Sequence, residues 1–200
     1  MNSAVALTYD DGPDPFWTDL LLAELREQRA RATFFVMTPR ARLAPDLIEA
    51  MLADGHEVGL HCVRHVRHSE LGGAELRAEL ATGLADLASH AVEPRAWRAP
   101  WGVETAATRT LAADHGLRLW GWNFDSHDWR GDAGATMHAA LNAQGGLRGG
   151  DVVLMHDGVG PGAQRAGCGE TLELTRLVLA DAARQGLRCV PVSEADGAAA

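Results

Sequence analysis

The sequence predicts a single α/β domain in which a parallel sheet, wrapped by helices, curls into an open or irregular barrel. Three observations carry that expectation. Strand-like apolar runs alternate along the whole chain with segments whose apolar residues recur at spacings of three and four, as at Leu76, Leu80, Leu84 and Leu87. A glycine closes several of the helical segments just before the next apolar run: Gly55 in "ADGH", Gly116 in "DHGL", Gly186 in "RQGL". Within 200 residues no linker is long or polar enough to divide the chain.

The strands expected, in order, are Ala4 to Tyr9, Ala32 to Met37, His56 to His61, Ala96 to Arg98, Leu117 to Phe124, Val152 to His156 and Leu187 to Val192. That is one fewer than a full (β/α)8 barrel holds, hence the irregular barrel. Asp14 and Pro15 read as the cap and first-turn proline of the first helix. The catalytic domain is expected over residues 1–193, and residues 194–200, "EADGAAA", as a loose tail.

Composition narrows the function. Hydrophobic residues at 46% and charged residues at 22% exclude a disordered or fibrous chain. A net charge of −9 argues against nucleic acid or an anionic membrane as partner. There is no membrane-length apolar run and no basic leader, so a cytoplasmic location is expected; a chain whose leader had been removed would read the same. Three cysteines, Cys62, Cys168 and Cys189, are too few and odd in number for a disulfide scaffold. Nine histidines and six tryptophans are the unusual content, and they cluster.

The clusters fall where strands are expected to end, the side on which parallel β/α folds carry their chemistry. Asp10 and Asp11 follow the first strand and His61 and His65 the third. Arg98 follows the fourth strand, Asp125, Asp128 and Trp129 the fifth, and His156 ends the sixth. Adjacent carboxylates at a strand end are read either as a solvated turn or as a pair with a cation between them. His61 and His65, four apart, would point the same way on a helical turn and bind one metal, although such pairs are often plain surface residues. Together the two clusters favour the cation, with one carboxylate as ligand and the other as base, and Gly12-Pro13 supplying the turn. Cys62 reads as a small packing residue more than as a soft ligand. Arg98 would keep the free carboxylate ionised. Asp125 either caps its own loop or pairs with His156 and favours the imidazolium. Trp101, Trp122 and Trp129 are core residues or flat walls for sugar rings.

Five segments in this order, "TYDDG" (8–12), "HCVRH" (61–65), "RAPWG" (98–102), "DSHDW" (125–129) and "LMH" (154–156), resemble the polysaccharide deacetylase family, the NodB-homology group of carbohydrate esterases. "RATFFV" and "GHEVGLH" are similar to the family's usual text, so the resemblance covers nearly the whole chain. It implies a deformed (β/α)7 barrel. It implies Asp10 as general base, Asp11, His61 and His65 as metal ligands, and Arg98 orienting Asp10. It further implies Asp125 tuning His156, the general acid, with Trp101, Trp129 and Tyr9 on the substrate and oxyanion side. Two positions depart from the family pattern: Cys62 stands where Ser or Thr usually steadies the histidine loop, so that loop is expected either to be softer or to use another brace, and Tyr9 stands where Phe is common.

The expected activity is metal-dependent removal of N-acetyl groups from amino sugars, as in chitin oligomers or peptidoglycan, with Zn²⁺ the expected ion and Co²⁺ or Ni²⁺ compatible. Alternatives within the same chemistry are a small N-acetylated metabolite or an O-acetyl ester on xylan. Outside it stand a catalytically inactive carbohydrate-binding relative and a structural metalloprotein.

Overall fold

The computed structural model describes residues 3–197. Strand β1 (Ala4–Asp10) lies inside the sheet, and all of its residues are buried, as in a strand covered on both faces. Around it follow α1 (Trp17–Glu27), β2 (Thr33–Met37), α2 (Thr38–Leu43), α3 (Pro45–Ala53), β3 (Glu57–Cys62), α4 (Gly73–Ala88), β4 (Ala96–Trp97), α5 (Ala106–Asp114), β5 (Arg118–Leu119), β6 (Phe124–Asp125), α6 (Gly134–Ala143), β7 (Val152–His156), α7 (Gly169–Gln185), β8 (Arg188–Cys189) and α8 (Val192–Gly197). Gly55, Gly116 and Gly186 take positive φ at 75°, 65° and 67°, a conformation that costs glycine least where a helix must turn into a strand.

Every strand pair is parallel, in the order β5-β4-β3-β2-β1-β7-β6, and β8 pairs with the start of β1. The two edge strands, β5 and β6, are consecutive in the chain. The link between them, Trp120 to Asn123, spans at most about 18 Å fully extended, so the sheet must curl until its edges nearly meet. The result is a deformed β/α barrel with one open seam. Leu21, Leu22, Phe34, Leu76, Leu80, Leu174 and Val178 fill the layer between helices and sheet.

Two expectations are corrected. The strand expected over Leu117 to Phe124 is broken, and its ends lie on opposite edges of the sheet. The carbonyls of Trp120 and Gly121 accept from the Arg98 side chain at 3.2 and 2.9 Å, so the middle of the segment finds its partners outside the ladder. The tail expected from residue 194 is instead helical to Gly197: Val192 and Ala195 pack with Ala6 and Phe35, and Glu194 pairs with Arg31. Residues 198–200 of that tail lie outside the described residues. Asp14 caps α1 as expected, its Oδ1 accepting from the N–H groups of Phe16 and Trp17 at 3.0 Å. Among the described residues no helix is long and apolar enough to cross a membrane.

Candidate active site

The carboxyl ends of the strands converge on one cleft lined by Asp10, Asp11, His61, His65, Trp101, Trp122, Asp125, Trp129 and His156. Register does much of the placement. Asp10 sits opposite His156 where β1 pairs with β7, which puts an acid and a base side by side on neighbouring strands. Asp11, at φ 71°, then leaves the strand in the left-handed region that Asp tolerates better than most residues, and its carboxylate is carried away from that of Asp10. Gly12 admits the close approach this turn needs, since a Cβ there would overlap the Asp157 carboxylate at 2.0 Å.

Asp11, His61 and His65 present ligand atoms within 4.8 Å of one another. Asp11 Oδ1 lies 3.4 Å from His61 Nε2 and 3.3 Å from His65 Nε2. His61 Nδ1 is 2.8 Å from the Arg98 carbonyl, so that nitrogen carries the proton and Nε2 offers a lone pair. Asp11 Oδ1 is buried without a hydrogen-bond partner, which a cation between it and the two imidazoles would supply. Burial alone would raise the Asp11 pKa, but His61, His156 and His65 hold it well below the usual carboxylate range. The donor set, two imidazoles and one carboxylate, therefore fits a divalent cation with positions left open for water and substrate. No helical turn brings the histidines together: His61 is the penultimate residue of β3 and His65 follows in the irregular segment after it. His56 and His68 stand apart as packing residues, bonded to Ala32 N and Thr108 Oγ1 at 3.0 Å each.

Arg98 is wholly buried and fully used. Its Nη1 donates to Asp10 Oδ1 at 2.8 Å and to Thr8 Oγ1 at 2.7 Å, while the rest of the guanidinium holds the two seam carbonyls. Its face lies 4.2 Å from the centre of the Phe35 ring. Burial lowers the Arg98 pKa from its usual value.

The partner expected for His156 is corrected. Asp125 Oδ1 accepts from its own turn, at His127 N, 2.8 Å away. His156 Nδ1 instead faces Asp128 Oδ1 at 2.6 Å, and His156 N donates to Asp128 Oδ2 at 2.9 Å. Asp128 Oδ2 also accepts from Arg165 Nη1 at 3.0 Å and Thr171 Oγ1 at 2.7 Å. Burial works against charge on His156, yet Asp128, with Asp10 and Asp11 further off, outweighs it and raises the His156 pKa to about 9.

Three indoles border the cleft. Trp101, 43% exposed, meets His65 edge-on at 5.0 Å, and its backbone is left-handed at φ 60°. Trp122 and Trp129 also line the cleft. Tyr9, expected on the substrate side, is corrected to a core residue. It alternates away from the cleft along β1, stacks on Phe34 at 5.1 Å, and its hydroxyl bonds Thr175 Oγ1 at 3.0 Å. Cys62 is buried, and burial pushes its thiol up. The brace that its position lacks comes from α4, where Glu79 accepts from Arg64 N at 3.1 Å and Glu75 from Arg64 Nη2 at 2.7 Å. Sequence reasoning assigned no role to Arg165, Thr171 or Arg40; each arrives from a distant segment with no motif around it. Asp128 was in view within "DSHDW", but no spacing rule separates it from Asp125.

Comparison with known proteins places the chain in one family. Residues 2–120 match the family described as polysaccharide deacetylase. A peptidoglycan-N-acetylglucosamine deacetylase of Bacillus cereus is 34% identical over 194 residues, covering 95% of this chain and 86% of the relative. A chitooligosaccharide deacetylase of Bradyrhizobium is 37% identical over 166 residues, 82% of this chain and 74% of the relative. Among solved structures, the family 4 carbohydrate esterase of Streptomyces lividans in complex with acetate superposes with a TM-score of 0.82 at 30% identity, over 94% of this chain and 91% of that one.

Proposed function

The chain belongs to the polysaccharide deacetylase family, and we propose that it hydrolyses the N-acetyl group of an N-acetylglucosamine-containing oligosaccharide or polysaccharide, releasing acetate and the free amine. One observation carries the reading: Asp10 and His156 face each other across β1 and β7, beside a three-ligand cluster that fits a divalent cation.

Asp11, His61 and His65 would hold that ion, with Zn²⁺, Co²⁺ and Ni²⁺ all compatible with the donors. Bound there, it would make a water acidic and polarise the acetyl carbonyl. The remaining work falls to the chain. Asp10, paired with and aimed by Arg98, accepts the proton of the attacking water. The Trp101 N–H is assigned to the oxygen that gains charge as the carbonyl carbon becomes tetrahedral. His156, charged below about pH 9, gives a proton to the departing nitrogen. An amine leaves poorly unless protonated, and His156 is placed to supply that proton. The half-buried Trp129 and the exposed Trp101 offer flat apolar faces for sugar rings.

The test is acetate release from N-acetylglucosamine oligomers of increasing length, with acetylated xylan alongside. Release from the oligomers, rising with length, is expected. Release from xylan alone would move the reading to an esterase.

A further inference from the structure

Asp11 is constrained by more than the triad it joins. Its left-handed backbone turns its carbonyl toward α2, where Arg40 Nη1 donates to it at 2.9 Å. Arg40 Nη2 donates to the carbonyl of Val159 at 2.8 Å. One planar guanidinium thus ties the turn after β1 to the glycine-rich strap that follows β7 and lines one side of the cleft. The strap lies directly on Asp11. A Cβ on Gly158 would come within 2.6 Å of the Asp11 carbonyl, and one on Gly160 would overlap Asp11 Oδ2 at 1.8 Å. With no donor on Oδ1, the carboxylate takes its direction from its own backbone and from this wall.

We infer that Arg40 and Gly160 are positioning residues for the metal centre. They preset the Asp11 carboxylate toward the Nε2 atoms of His61 and His65, and so govern how tightly the ion is held. This rests on the metal-dependent reading above. Left-handed backbone is sparsely populated by residues with a side chain and persists where its surroundings hold it. Arg40 holds it from the carbonyl side and Gly160 from the carboxylate side. A strap that served only to shape the cleft would act on sugar binding and leave the ion untouched.

The test is Zn²⁺ titration of the chelator-stripped full chain by calorimetry, with thermal melting and KM at saturating Zn²⁺ measured on the same preparations. Arg40→Met and Gly160→Ala are each expected to weaken Zn²⁺ binding by about 10- to 100-fold, the range for residues that orient metal ligands, and Arg40→Met, which lies outside the cleft lining, to do so with KM unchanged. Arg40→Lys is expected to fall between, since an ammonium does not span both carbonyls. Arg42→Ala, two positions from Arg40 on α2, is the control: the Arg42 guanidinium pairs with Asp86 of α4, and Zn²⁺ affinity should stay at the wild-type value. Gly160→Ala keeps the Arg40 side chain and carries the test if Arg40→Met does not fold. Wild-type Zn²⁺ affinity in folded Arg40→Lys and Gly160→Ala would overturn the inference, as would a raised KM with unchanged affinity. Failure of the wild-type chain to bind Zn²⁺, Co²⁺ or Ni²⁺ would overturn the metal reading itself, and this inference with it.

Discussion

Asp128 accepts from both the ring and the backbone of His156, at 2.6 and 2.9 Å, and is itself clamped by Arg165 and Thr171. The carboxylate is therefore held on both oxygens, and its charge and its bond to Nδ1 make the histidine more basic. Nδ1 is committed to Asp128, which leaves Nε2 to meet a leaving group.

From this follows a shift in the pH profile. The His156 pKa is raised, so its acid form is complete at low pH and is lost as pH climbs toward about 9; a cation beside Asp10 and Asp11 would offset their charge and bring that limb lower. Asp128→Asn should move the alkaline limb of kcat/KM down toward the ordinary histidine value of about 6.5 and cut kcat by roughly 10²- to 10⁴-fold. Asp125→Asn should leave the limb in place. Profiles of the two variants measured side by side decide between the carboxylates.

Arg98 should matter to the fold as well as to the chemistry. It has no exposed surface, and removing it leaves Asp10 charged and unpaired in a buried site. Arg98→Met should lose about 3–5 kcal/mol of stability in urea unfolding, and Arg98→Lys should recover little, because one ammonium does not replace contacts to four oxygens.

Tyr9 should be silent in catalysis. Tyr9→Phe removes the bond to Thr175 inside the core and should cost about 1 kcal/mol, with kcat and KM unchanged. A fall in kcat without loss of stability would return Tyr9 to the substrate side.

Acid should loosen the back of the sheet through His56. Burial lowers its pKa to about 4, and its Nδ1 must stay unprotonated to accept from Ala32 N. The folded value lies below the unfolded one, near 6.5, so the stability it contributes is whole above about pH 6.5 and is lost as pH falls toward 4, by at most about 3 kcal/mol. His56→Asn keeps an acceptor that does not titrate. Its unfolding free energy should change less between pH 7 and 4.5 than that of the wild type.

Much of this was legible in the sequence because strand ends and turn glycines are local signals. Asp10, Asp11, His61, Arg98 and His156 each sit within one residue of the end of a strand, and the glycines at 55, 116 and 186 mark the turns beneath. Legibility failed where elements are too short to show a period. β5 and β6 have two residues each, so the break between them left no pattern, and Asp125 and Asp128 fell on one undifferentiated strand end. It failed again where partners are remote. Arg40 is 29 residues from Asp11 and Arg165 is 37 from Asp128, separations to which no spacing rule applies. Tyr9 was misplaced for a different reason: it borders the acidic motif in sequence, but the alternation of side chains along β1 sends it into the core.

The central claim is that the adjacent aspartates divide one task, Asp11 holding the ion and Asp10 moving the proton. Zn²⁺ affinity and acetate release from N-acetylglucosamine oligomers, measured together on Asp10→Asn and Asp11→Asn, test it most directly. The account predicts that Asp10→Asn binds Zn²⁺ close to the wild-type affinity yet loses turnover by at least about 10²-fold, while Asp11→Asn loses the ion. Near-native turnover by Asp10→Asn, or undiminished Zn²⁺ binding by Asp11→Asn, would contradict it.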